Sequence, residues 1–103
     1  MVTINYRLGP LGFMNNKQVY GEDPDFKTYG GMNGIYDQIV ALQWTKRFIS
    51  DYGGDPDQVT VFGESAGGNS VCTLLISPLA KGLFHRAIIE SGSCAGPTYV
   101  ICC

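Results

Sequence analysis

The sequence is poor in the features that mark several large function classes. It has one histidine, at position 85, so a chemistry that needs a second imidazole must find it outside these residues. No apolar run approaches the roughly 18 residues that cross a bilayer, and no membrane span is expected. Met1 leads straight into Val2-Thr3-Ile4-Asn5-Tyr6-Arg7 without the apolar stretch of a signal peptide, which leaves localisation unassigned. Charge is sparse, at 16% of residues with a net value of -2, and both signs are mixed. That excludes a basic stripe for nucleic acid and an acidic tail. The four cysteines, at 72, 94, 102 and 103, fit neither a zinc spacing nor an obvious disulfide framework. No metal and no cofactor are expected. Cys72 falls in an apolar helical pattern and reads as a small core residue, and the adjacent Cys102-Cys103 pair does not bridge readily to itself.

What the chain does have is one dense motif. Val59-Thr60-Val61-Phe62 is a β-branched and aromatic run that ends in Gly63-Glu64-Ser65-Ala66-Gly67 and passes at once into a helical pattern. This is the strand-turn-helix context of a nucleophile elbow, with Ser65 as the nucleophile. The corner is tight and strained, and Gly63 and Gly67 are expected to remove Cβ atoms that would collide across it. The amide of Ala66, at the positive end of the following helix, is placed to receive an oxyanion. Glu64 precedes the serine at the same helix start, where a negative charge either caps the dipole or lies beside the chemistry.

Residues 2–7 alternate weakly and predict a strand, followed by a turn through Gly9-Pro10-Leu11-Gly12. Residues 14–33 are polar, broken by glycines and proline, and predict an irregular surface loop. Helical spacing from Gly34 places Ile35, Ile39, Leu42, Ile49 and Tyr52 on one face, widened by Val40, Trp44 and Phe48. Trp44 and Phe48 are expected in the core. Gly53-Gly54-Asp55-Pro56 stops this helix. Residues 58–62 predict the strand feeding the elbow. A helix then runs to about Ser77-Pro78, with Val71, Leu74 and Leu75 inward, and residues 86–90 predict a last strand before a turn at Ser91-Gly92. The order β-loop-α-β-α-β defines an α/β class with parallel strands, and the crossover rule sends both helices to one face. At 103 residues the chain is too short for a complete serine hydrolase of this design, and with its start on a predicted core strand it is expected to be a piece of a longer domain.

The ordered motifs resemble the type-B carboxylesterase and cholinesterase family of α/β-hydrolases. They are Val2-Thr3-Ile4-Asn5-Tyr6-Arg7-Leu8-Gly9, Gly34-Ile35-Tyr36-Asp37-Gln38, Ala41-Leu42-Gln43-Trp44, Gly53-Gly54-Asp55-Pro56 and the elbow itself. Ser77-Pro78, Gly82-Leu83-Phe84-His85-Arg86-Ala87-Ile88 and Glu90-Ser91-Gly92 complete the set. Residues 1–97 are identified as a partial domain of that family, and residues 98–103 as a tail the resemblance does not cover. Met32 replaces an asparagine usual in the family, and the loop before it is longer than in cholinesterases.

The resemblance implies carboxylic ester hydrolysis by acyl transfer through Ser65, with a small-molecule ester as substrate. It implies that the triad acid, the triad histidine and a Gly-Gly oxyanion loop belong to flanking segments, so the isolated chain is expected to be inactive. It also implies a strand between those at 2–7 and 59–62 that these residues do not supply, leaving Ile88 and Ile89 on an uncovered sheet face. Ser91 would lie close to the triad. Arg7 and Asp37 would form a structural ion pair. His85 is not expected to be catalytic, because a helix of about 12 residues carries the chain roughly 18 Å back across the sheet to the edge opposite Ser65. The competing readings are a non-catalytic binding or adhesion domain of the same fold and a truncated product without activity.

Overall fold

The computed structural model describes residues 1–16, 18 and 30–95. They fall into two compact units, residues 1–38 and residues from 39 onward.

In the first unit residues 1–8 carry no regular structure, and the strand predicted at 2–7 does not form. Its apolar side chains explain why: Val2 and Ile4 stand about two-fifths exposed. A strand is stabilised by a ladder partner and a covered face, and among the described residues this segment has neither. The predicted turn at Gly9-Pro10-Leu11-Gly12 is instead a short helix, α1 (Gly9–Phe13). Proline in its first turn lacks only an amide that would be unpaired there in any case. The amide of Gly12 donates to the Leu8 carbonyl at 3.2 Å and that of Met14 to the Pro10 carbonyl at 3.1 Å. Of the predicted loop, Asn15 and Gly30 form an antiparallel bridge, and residues 17 and 19–29 lie outside the described ones. At Met32 the turn is closed by main chain, the Tyr36 amide donating to the Met32 carbonyl at 2.9 Å, while the Asn33 side-chain amide reaches the Leu11 carbonyl at 3.3 Å.

Helix α2 (Asn33–Phe48) runs on as a 3-10 turn over Ile49–Tyr52. Lys46 and Arg47 in its last turn oppose the negative end of the dipole. It stops where expected, at Gly53, whose φ of 79° lies in the left-handed region that glycine adopts freely. Ile35 and Ile39 are buried as the spacing predicts, but Tyr52 is 73% exposed and Trp44 41%. The expected core role of Trp44 is therefore corrected: it stacks at a tilt on Phe48 and Tyr52, with ring centroids 5.8 and 5.7 Å away, and forms an outward aromatic cluster.

The second unit is built on a β-α-β crossover. Strand β1 (Thr60–Glu64) and strand β2 (Arg86–Glu90) pair in parallel with Thr60 opposite Arg86 and Glu64 opposite Glu90. Helix α3 (Ala66–Ile76) connects them and packs on both. Its buried stripe is Gly68, Ser70, Val71, Cys72 and Leu74. Leu75, expected inward, is half exposed, since it falls one residue past the stripe that α3 turns to the strands.

The strands alternate as a half-covered sheet must. Val61, Gly63, Ala87 and Ile89 turn to the sheltered side, whereas Phe62 and Ile88, opposite each other in register, are 58% and 50% exposed. Of the two isoleucines expected on an open face, Ile88 is there and Ile89 is not. Among the described residues no helix is long and apolar enough to cross a membrane.

Candidate active site

The corner between β1 and α3 holds one of the two non-glycine residues with a positive φ among the described residues. Ser65 has φ 52° and ψ -114° and caps α3 without a side-chain capping bond. A non-glycine residue held there costs on the order of 1–3 kcal/mol and persists only when its surroundings over-determine it. Two main-chain bonds do so. The Ser65 amide donates to the Glu90 carbonyl at 2.8 Å, extending the parallel ladder by one step, and the Ser65 carbonyl accepts from the Asn69 amide at 3.0 Å, opening the helix. The residue is thus tied to β2 through one end of its backbone and to α3 through the other, and its side chain is left at the exposed surface. Ala66 follows as the first residue of α3, where helix geometry supplies no intrahelical acceptor for its amide.

The two motif glycines differ. A Cβ on Gly63 would run into the carbonyl of Gly67 and come within 3.0 Å of its Cα, but a Cβ on Gly67 would meet nothing within 4 Å. The expectation that both relieve a collision holds for Gly63 and is corrected for Gly67. The second close approach is one the motif did not single out. A Cβ on Gly68 would lie 3.1 Å from the Glu90 carbonyl oxygen and 3.1 Å from the Gly92 Cα, and one on Gly92 would lie 2.8 Å from the Gly68 carbonyl carbon. Helix α3 therefore rests directly on the turn after β2. The Gly67-Gly68 doublet, facing Ser91-Gly92 across a parallel ladder, was the available signal.

Ser91 follows β2 as Ser65 follows β1, on the same edge of the pair, and it too has a positive φ, 52°. Beyond it the Ser93 amide donates to the Asn69 side-chain oxygen at 2.9 Å. Cys94 is joined to Cys72 by a disulfide, with Cα atoms 5.2 Å apart. Cys72 is a small core residue as expected, and the disulfide is one that the cysteine spacing did not signal.

Glu64 ends β1 exposed, beside Glu90 in register. His85 lies at the other end of the ladder. Its amide donates to the Val59 carbonyl at 2.8 Å, and its ring Nδ1 accepts from the Val59 amide at 3.2 Å. The five residues of β2 separate it from Ser91, six steps or roughly 20 Å at about 3.3 Å per residue. An open cleft of about 470 Å³, lined by Leu74, Pro78, Ala80, Phe84 and His85 among others, belongs to that far end and not to the corner.

Arg7 and Asp37 meet within the first unit. Arg7 Nη2 lies 2.7 Å from Asp37 Oδ1 and Nε 2.8 Å from Oδ2, and the Arg7 amide donates to Oδ2 at 3.0 Å. These side-chain bonds first, and the backbone bond second, lower the Asp37 carboxyl from 3.8 to about 2, against an opposing effect of burial. Among the described residues no group of three or more acidic, histidine or cysteine side chains is arranged to hold a metal.

A family model described as the carboxylesterase family matches residues 1–101. The chain belongs to the carboxylesterase family. It is similar to para-nitrobenzyl esterase of Bacillus subtilis, at 52% identity over 93 residues covering 90% of this chain and 18% of that protein. It is also similar to liver carboxylesterase 1 of Oryctolagus cuniculus, at 51% identity over 89% of this chain and 15% of the relative. Among solved structures, a thermophilic para-nitrobenzyl esterase superposes with a TM-score of 0.74 at 53% identity, over 86% of this chain and 17% of that one. A carboxylesterase of Geobacillus stearothermophilus superposes with a TM-score of 0.77 at 47% identity, over 88% and 18%. The likeness establishes the α/β-hydrolase fold class for this piece, which spans less than a fifth of the length of these relatives.

Proposed function

We propose that this segment carries the nucleophile of a carboxylic ester hydrolase, with Ser65 as the attacking residue. The observation that supports this most directly is the backbone of Ser65, held at φ 52° and ψ -114° between β1 and α3 inside Gly63-Glu64-Ser65-Ala66-Gly67. Ser65 Oγ attacks the ester carbonyl while a histidine takes its proton, and the Ala66 amide donates to the oxygen that becomes negative. The alcohol leaves with that proton. Water, deprotonated by the same histidine, then attacks the acyl-serine; the bond to Ser65 Oγ breaks, the histidine returns the proton to that oxygen, and the carboxylic acid is freed.

The histidine, the acid that orients it and the further oxyanion donors belong, in this reading, to flanking segments of the same domain. Ser91, one strand over on the same edge, lies beside that machinery, and Glu64 contributes charge at its rim. Two similar proteins, a para-nitrobenzyl esterase and a cocaine esterase, are both named for ester hydrolysis and differ in the ester. The substrate class proposed is accordingly the carboxylic ester alone.

The test is covalent labelling. In the protein that carries this segment a fluorophosphonate should modify Ser65, and Ser65→Ala should abolish both labelling and hydrolysis of an aryl ester. Labelling that persists in Ser65→Ala places the nucleophile elsewhere. Residues 1–103 alone should show no Ser65-dependent turnover above buffer.

A further inference from the structure

Three consecutive ties join α3 to the turn after β2, and all of them lie within two helical turns of Ser65. Gly68 and Gly92 touch main chain to main chain. Asn69, whose amide already holds the Ser65 carbonyl, holds the Ser93 amide with its side chain. Cys72 holds Cys94 covalently. Residues 91–95 have no strand or helix of their own, and Ser93, Cys94 and Ala95 are exposed. Among the described residues, what fixes this turn is borrowed from α3.

The turn nevertheless contains Ser91 at a positive φ of 52°, a conformation that a β-carbon opposes and that survives only under external constraint. We propose that the Cys72–Cys94 disulfide, with Asn69, is a reductant-sensitive clasp that fixes the Ser91 turn beside Ser65 and so sets the reactivity of the serine. The proposal rests on the reading of Ser65 as nucleophile. Cys72 and Cys94 act here as positioning residues: neither touches substrate.

Opening the clasp is a two-electron exchange with a dithiol reductant. A reductant thiolate attacks Sγ of Cys94, whose residue is exposed where Cys72 is buried, and Cys72 leaves as a thiolate that takes up a proton. The reductant's second thiolate attacks the mixed disulfide, closes the reductant's own disulfide and releases Cys94, which is protonated in turn. Both electrons come from the reductant, which ends oxidised, and both cysteines end as thiols. With the covalent tie gone, Ser91 is free to relax toward negative φ and the turn to leave the corner. Such a clasp stays closed in an oxidising compartment and opens in a reducing one.

The experiment uses the full-length protein that carries this segment, with three readouts. A peptide map under non-reducing conditions should recover residues 72 and 94 in one linked pair. If both appear as free thiols, or if Cys94 is linked to Cys102 or Cys103, the clasp does not exist. Mild reduction with dithiothreitol should slow fluorophosphonate labelling of Ser65 and lower kcat for an aryl ester by about tenfold, as expected for a displaced site. KM should change little, and reoxidation should restore both rates.

The Cys72→Ser, Cys94→Ser double variant should be as slow as the reduced protein and indifferent to dithiothreitol, which separates this disulfide from any other in the chain. Asn69→Ala should also slow labelling, whereas Asn69→Asp, which keeps an acceptor oxygen, should restore it. If full reduction lowers thermal stability but leaves the labelling rate unchanged, the disulfide is merely structural and the proposal is wrong. Labelling that survives in Ser65→Ala instead overturns the nucleophile, a distinct failure. Should the double variant not fold, the reduction and reoxidation of the unaltered protein still decide the matter.

Discussion

The two glycines of the elbow motif look equivalent in sequence, yet they should respond to alanine with opposite signs. At Gly63 the added methyl points at the carbonyl of Gly67 and lies 3.0 Å from its Cα. These are backbone atoms of the first turn of α3, so no rotamer change relieves the overlap. The first turn must shift, which also loads the two bonds that hold Ser65. Overpacking of this kind costs about 1–3 kcal/mol. It is offset by about 0.4–1 kcal/mol, because alanine leaves the unfolded chain fewer conformations to lose.

The net expectation for Gly63→Ala is a loss of about 1–2 kcal/mol. At Gly67 the methyl meets nothing within 4 Å, so only the favourable terms remain. Gly67→Ala should be neutral to stabilising by up to about 1 kcal/mol. The measurement is equilibrium urea unfolding of the protein that carries the segment, taking the shift in midpoint at constant slope as the change in stability. Turnover is the wrong readout, since a methyl in open space next to Ser65 can obstruct substrate without affecting the fold. Equal destabilisation by both variants, or a larger loss at Gly67, would refute the steric account of the corner.

The Arg7–Asp37 pair predicts an acid limb. The folded carboxyl titrates near 2 and the unfolded one near 3.8; with the folded value depressed, its contribution is fully present above 3.8 and lost as pH falls through about 2. Urea midpoints between pH 5 and pH 2 should fall more steeply for the unaltered chain than for Asp37→Asn, and parallel curves would show that the pair contributes nothing. The exposed pair Phe62 and Ile88 should drive residues 1–103 into self-association, which Ile88→Lys should reduce in sedimentation velocity. A monomeric unaltered chain at the same concentration would refute that.

What was legible in the sequence is what the chain specifies locally. β1, α3 and β2 form where the β-branched runs, the helical spacing and the glycine stops placed them, because a β-α-β crossover requires little more than its own three elements. The strand expected at residues 2–7 is a different case. Its residues carry strand propensity, but propensity reports fit to a half-buried sheet, and no such sheet faces them among the described residues. The same reasoning accounts for Trp44 and Tyr52, which have the spacing of a buried face and stand exposed. The disulfide was hidden for a geometric reason. Cys72 in an apolar helix looks identical as a free thiol or a half-cystine. Its partner, 22 residues on, comes into range only once β2 is known to lie parallel and adjacent to β1, which returns the chain to α3 just past Gly92.

This distinction bears on which part of the chemistry the segment owns. The backbone of Ser65 is held from inside the β1-α3-β2 unit, by the Glu90 carbonyl on one side and the Asn69 amide on the other. The proton acceptor of the proposed function is not supplied from there. The chain's single histidine is engaged with Val59 at the opposite end of the ladder, separated from Ser65 by the length of β2, and a parallel sheet cannot bring the two ends of one strand together. Ser65, with the amides of a helix start beside it, has no histidine within reach among the described residues. General-base assistance contributes about 10²–10⁴-fold to such reactions, and an unassisted hydroxyl is a poor nucleophile at neutral pH. On the proposed function, then, the segment determines where the acyl group attaches, and the remainder of the domain determines whether it ever does.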